Sequence, residues 1–149
     1  MLKLLRLFAV LAAAAALALL VTPTANAQQP TTSVVPLSAE CPAAEASGAT
    51  GFAFVSVNEA SGRITYHVVA FNLPGTITAA HIHGPINPLT GNGPVAVGLE
   101  LTGANSGVVA SGTATDPADA KLIADNPENF YFNVHTSECS GGALRGSLG

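Results

Sequence analysis

Residues that alternate with a period of two, cut repeatedly by glycine and proline, constrain this chain more than any other feature. From Arg63 to Phe71, Ile64, Tyr66, Val68 and Ala70 share one face, while Thr65, His67, Val69 and Phe71 share the other. Only an extended strand separates neighbours in this way. Gly51 to Val57 alternates through Phe52 and Phe54, and the turn-like Glu59-Ala60-Ser61-Gly62 joins the two segments as a hairpin. Leu73-Pro74-Gly75-Thr76 then forces a turn, because proline presets one dihedral and glycine accepts a positive one. Further strands are expected at Ile77 to Ile82, Val95 to Leu101, Gly107 to Thr115, Phe130 to His135 and Ala143 to Leu148. One helix is expected, with Asp116 as cap, Pro117 in the first position and Ala118 to Ala124 as its body. The pattern predicts an all-β fold: an antiparallel, Greek-key-like β-sandwich or partly closed barrel with one short helix.

The first 27 residues follow a different logic. Lys3 and Arg6 precede an apolar, alanine-rich run from Leu7 to Val21, and a polar stretch then ends in Ala25-Asn26-Ala27. That order is the one expected of a signal peptide cleaved before Gln28. A retained membrane anchor is the competing reading, but the run falls short of the roughly 20 apolar residues that span a bilayer and meets Pro23 at once. Residues 28–37, with Thr31, Thr32 and Ser33 between prolines, read as a flexible polar lead-in, and residues 38–149 as the β domain.

Removing Lys3 and Arg6 leaves three basic residues against nine acidic ones, so nucleic acid is excluded as a natural partner. No integral membrane span is expected after cleavage. The expected location is outside the cytoplasm, either secreted or in the periplasm and cell envelope. Cys41 and Cys139 are most simply paired there as one disulfide. A thiolate metal ligand is the alternative, although no Cys-x-x-Cys spacing supports it.

Histidine carries the chemistry. His81 and His83 lie two apart in a strand and therefore point to the same side, which lets both imidazoles reach one metal ion. His135 is the expected third ligand, and His67 a fourth if its strand is adjacent. Generic nitrogen sites prefer copper to zinc, so copper is the expected ion. The competing account has these histidines bonding backbone carbonyls around the glycine-rich bend. No phosphate-binding loop, nucleophile elbow or paired carboxylates mark a catalytic centre. Arg145 reads as a structural ion pair or a solvated residue, and Tyr66, Phe130, Tyr131 and Phe132 as core or sheet-face residues.

Two segments also carry a family likeness. Ala79-Ala80-His81-Ile82-His83-Gly84-Pro85, with Gly93-Pro94-Val95, forms one; Phe130 to Ser137, followed by Gly141 to Leu148, forms the other. In that order they resemble the signature regions of the CHRD domain family, named after chordin, over roughly Ser38 to Leu148. Much of that family has glutamate where this chain has Ala143, and often proline in place of Ser140. The resemblance implies an extracellular domain. Chordin itself antagonises a growth factor, whereas many bacterial members are single secreted domains, so antagonism is not expected of a lone module. The strand-borne His81-x-His83 with remote His135 is loosely similar to copper-zinc superoxide dismutase, but that enzyme's histidine-rich loop and aspartate ligand have no counterpart. The expectation is a secreted, non-enzymatic module that binds copper, or less favourably zinc, and meets an extracellular protein or surface partner. A purely structural or adhesive envelope module without metal is the alternative, and a copper redox enzyme the more remote one.

Overall fold

The computed structural model describes residues 29–149; the expected signal peptide lies outside them. Eight strands form one antiparallel sheet: β1 (Thr31–Ala39), β2 (Thr50–Asn58), β3 (Arg63–Phe71), β4 (Ile77–His83), β5 (Val95–Gly98), β6 (Gly107–Thr115), β7 (Tyr131–Thr136) and β8 (Leu144–Ser147). Their spatial order is β5-β4-β7-β8-β1-β2-β3-β6. The segment after β5 crosses the gap between the outer strands. Leu99 donates to the Ala80 carbonyl at 2.9 Å, the Glu100 carbonyl accepts from Ser111 at 3.1 Å, and Thr102 donates to Val109 at 3.0 Å. The sheet thereby becomes a nearly closed barrel in which β3 lies beside β6, β6 meets the segment that follows β5, and β5 pairs with β4, a Greek-key arrangement.

Alternation decides which residues fill the barrel. Ile64, Tyr66, Val68 and Ala70 of β3 are all buried, as are Ala53, Val55 and Val57 of β2 and Val35 and Leu37 of β1. The faces expected for β3 are therefore the faces observed. Phe130, Phe132 and Val134 of the β7 region complete the core. Tyr66 is buried, and its hydroxyl accepts the Glu100 amide at 2.9 Å, so a polar tip finds its partner at the closing seam.

Helix α2 (Pro117–Asp125) forms as expected, with the Asp116 carboxylate accepting from the Ala118 and Asp119 amides. A second helix, α1 (Pro42–Ser47), corrects the expectation of one helix. Pro42 fits a first helical turn, Cys41 Sγ accepts from Ala44 N at 3.3 Å, and Gly48 takes the left-handed closing conformation at φ 69°. The flexible lead-in is also corrected. Residues 31–37 belong to β1, which pairs with β2 from Thr31↔Val57 to Ser38↔Thr50 and with β8 at Ser38 and Ala39. Pro36 lies on the exposed face of this strand, and alternation still buries Val35 and Leu37. The expected Cys41–Cys139 disulfide is present and ties the start of α1 to the turn between β7 and β8.

Candidate metal centre

Strands β4 and β7 pair side by side with His81 opposite Asn133, His83 opposite Tyr131 and Ala79 opposite His135. Because Ala80 and Ile82 point into the core, His81 and His83 point outward, and the same alternation turns Tyr131, Asn133 and His135 outward from β7. The expected trio therefore meets on the outer wall of the barrel. One ring nitrogen from each of His81, His83 and His135 lies within 4.8 Å of the others. Nδ1 of His81 and Nε2 of His135 are 3.2 Å apart, a hydrogen bond between the two rings whose spacing is also close to the roughly 3.3 Å between neighbouring nitrogens on a tetrahedral metal with bonds of about 2.05 Å.

Backbone carbonyls fix two of the three rings. His83 Nδ1 is 3.0 Å from the Gly93 carbonyl, and His135 Nδ1 is 3.0 Å from the Ser140 carbonyl. A carbonyl only accepts, so each Nδ1 carries a proton and each Nε2 presents a lone pair. Outer hydrogen bonds of this kind orient metal-ligating imidazoles. His83 Nε2 is buried and has no hydrogen-bond partner among the described residues. Burial pushes the His81 pKa below its ordinary value, and the neighbouring His135 and His83 add to the shift. Burial also lowers that of His83, with the hydrogen bond to Gly93 opposing and His135 and Arg145 reinforcing the change. Both rings are thus disposed to be neutral, the form that binds metal.

The loop over the site is held by groups that sequence reasoning assigned to packing. Asn87 N donates to the Asn92 carbonyl at 2.8 Å and Gly84 N to the Pro94 carbonyl at 2.9 Å, which folds residues 84–94 back on themselves. Arg145 Nη1 donates to Asn92 Oδ1 at 3.0 Å and to Glu40 Oε1 at 3.1 Å, and Nη2 donates to the Gly91 carbonyl. Its guanidinium carbon lies 3.5 Å from the centre of the Tyr131 ring, which in turn stacks on His83 with centroids 5.0 Å apart. Arg145 is an ion pair with Glu40, as its expected structural role required, and it also braces the histidine site. Asn133 is buried, with Nδ2 donating to Glu40 Oε2 at 3.0 Å. The period-two pattern of Tyr131, Asn133 and His135 contained the signal for this shared face. Glu40 and the Ser140 and Gly93 carbonyls depend on pairings across the sheet that no local pattern reveals.

His67 does not join the trio. It lies on the outward face of β3, whose neighbours are β2 and β6, and its Nδ1 pairs with Ser111 Oγ at 2.8 Å. The condition for a fourth ligand, an adjacent strand, is not met.

Barrel, disulfide and outward histidine cluster define a small Greek-key β module with three histidines gathered on its wall. A family model for the CHRD domain matches residues 31–148, and the chain belongs to that family. Comparison with curated proteins and with solved structures gave no match. Family and disulfide together fit an extracellular protein, and among the described residues no helix is long and apolar enough to cross a membrane.

Proposed function

We propose that the chain is an exported, non-enzymatic CHRD module that binds one metal ion through His81, His83 and His135, copper in preference to zinc. The observation that carries this reading is the convergence of three imidazole nitrogens within 4.8 Å, two of the rings being oriented by carbonyls. Nitrogen-rich sites follow the order that puts copper above zinc. Three protein ligands leave a further position for solvent or for a donor from a partner. Bringing every pair of ligand atoms to tetrahedral spacing requires shifts of at most about 1.5 Å.

A structural module without metal is the second reading, supported by the same carbonyl hydrogen bonds, which tie loop 84–94 and the β7–β8 turn to the barrel wall. The partnerless, buried His83 Nε2 favours the metal: a purely structural histidine gains nothing from an acceptor left without a donor. Titration of the purified protein with Cu(II) and Zn(II), beside a His81→Ala, His83→Ala variant, separates the two. One-to-one binding that is lost in the variant supports the metal site, whereas no binding by either protein leaves the structural reading. Export is tested on the same protein purified from its native host. An N-terminus at Gln28 supports cleavage after Ala27, and an intact leader contradicts it.

A further inference from the structure

Strands β1, β2, β3 and β6 are each nine residues long and pair in a register that stacks their outward residues in rows. One row runs Val34, Phe54, His67, Ser111 and the next Pro36, Phe52, Val69, Val108, with Phe71 beyond Phe52 on the far end of β3. These apolar side chains are not covered: Val34 is 61 % exposed, Phe54 42 %, Phe71 41 % and Val108 45 %. Isolated exposed apolar residues are ordinary, but a contiguous group across four strands marks a docking surface.

We propose that this face binds a second copy of the chain, face to face, as a symmetric dimer. Charge distribution selects the occupant. Residues 29–149 carry nine acidic and three basic residues, yet none of the nine acids lies in these four strands, whose only formal charge is Arg63 at one end. Two acidic molecules can therefore meet on this face without opposing carboxylates, and a basic partner finds nothing there to attract it. Size sets the strength. Four strands about 4.8 Å apart and about 30 Å long span roughly 600 Å² measured along the sheet, and the curvature of the barrel lets two copies touch only part of it, so the pairing belongs with the weak interfaces below the about 800 Å² per partner of a standard one. An isologous pairing through one patch closes at two copies. The edges of the sheet are not involved, because β5, its following segment and β6 nearly close the barrel.

The test is sedimentation velocity of the purified protein at rising concentration up to about 300 µM, a range that detects the micromolar affinities found for weak interfaces of this size. Phe54→Lys and Val108→Lys remove the face at exposed positions, and Leu89→Lys, at a residue 92 % exposed in loop 84–94, is the control. Circular dichroism verifies that each variant is folded. The expected result is a dimer for the wild type and the Leu89 variant, with self-association at least about 10-fold weaker in the other two. A monomer throughout the range overturns the proposal, as does a dimer that persists in Phe54→Lys. A wild type that stays monomeric yet sediments with phosphatidylglycerol vesicles overturns it in favour of a lipid surface.

Discussion

Cutting the Cys41–Cys139 bridge tests how the barrel is held closed. The substitutions should be Cys41→Ser and Cys139→Ala. A serine at 41 keeps an acceptor for the Ala44 amide that Cys41 Sγ now caps, and an alanine at 139 avoids burying a hydroxyl where Cys139 is almost inaccessible. The bridge closes a span of 98 residues, for which loop entropy alone gives about 4.7 kcal/mol at 25 °C. Domains of this kind are stable by only about 5–15 kcal/mol, so the loss is a large fraction of the total. With a urea slope of about 1.5 kcal/mol/M, the midpoint should fall by about 3 M, and the slope should rise because the uncrosslinked unfolded chain exposes more surface. Equilibrium urea unfolding followed by circular dichroism reads both quantities. A midpoint shift below about 0.5 M would refute the reasoning and mean that β1–β8 pairing clamps the ends without help. The bridge also anchors both flanks of the site, since Glu40 precedes Cys41 and Ser140 follows Cys139. The same variant should accordingly bind copper more weakly.

The lowered pKa values of His81 and His83 give the metal-free protein a pH dependence: between their folded values and the ordinary 6.5 the unfolded chain binds more protons, so stability is fully present above about pH 6.5 and is lost as pH falls through the folded values. Urea midpoints at about pH 7.5 and pH 5 should therefore differ more in the wild type than in His81→Ala, His83→Ala. Tyr66→Phe leaves the Glu100 amide without its acceptor at the barrel seam and should cost about 1–2 kcal/mol in the same assay; an unchanged midpoint would count against that seam contact. Gly142→Ala should lower both stability and copper affinity, because φ is +139° and a Cβ there would meet Glu40 and Asn133. His67→Ala, by contrast, should leave copper affinity unchanged in a direct titration, its ring being engaged with Ser111.

Strand positions were legible because burial on one face writes itself into the chain at every second residue, as in Ile64, Tyr66, Val68 and Ala70. His81 and His83 were legible for the same reason; His135 was legible as an outward strand residue, but that it meets them follows from β7 running beside β4, which no local pattern reveals. The first strand was not, since Thr31-Thr32-Ser33 and Pro36 look like a linker until pairing with β2 supplies the backbone partners. Helix α1 was hidden by its length: six residues show no periodicity, and its signals are a cap through sulfur and a closing glycine. His67 illustrates the converse limit. Its strand pattern was right, but strand order decides which outward histidines meet, and in this Greek key β3 lies away from β4 and β7. Arg145, Glu40 and Asn133 come together through β1–β8 and β7–β8 pairings whose partners are far apart in sequence.

The central claim is a copper site made by three imidazoles on the barrel wall. Pulsed electron paramagnetic resonance of the protein loaded with one equivalent of Cu(II), compared with His135→Ala, counts those imidazoles directly. The account predicts couplings from three imidazoles in the wild type and from two in the variant. Identical spectra from both proteins, or copper held without histidine coupling, would contradict it.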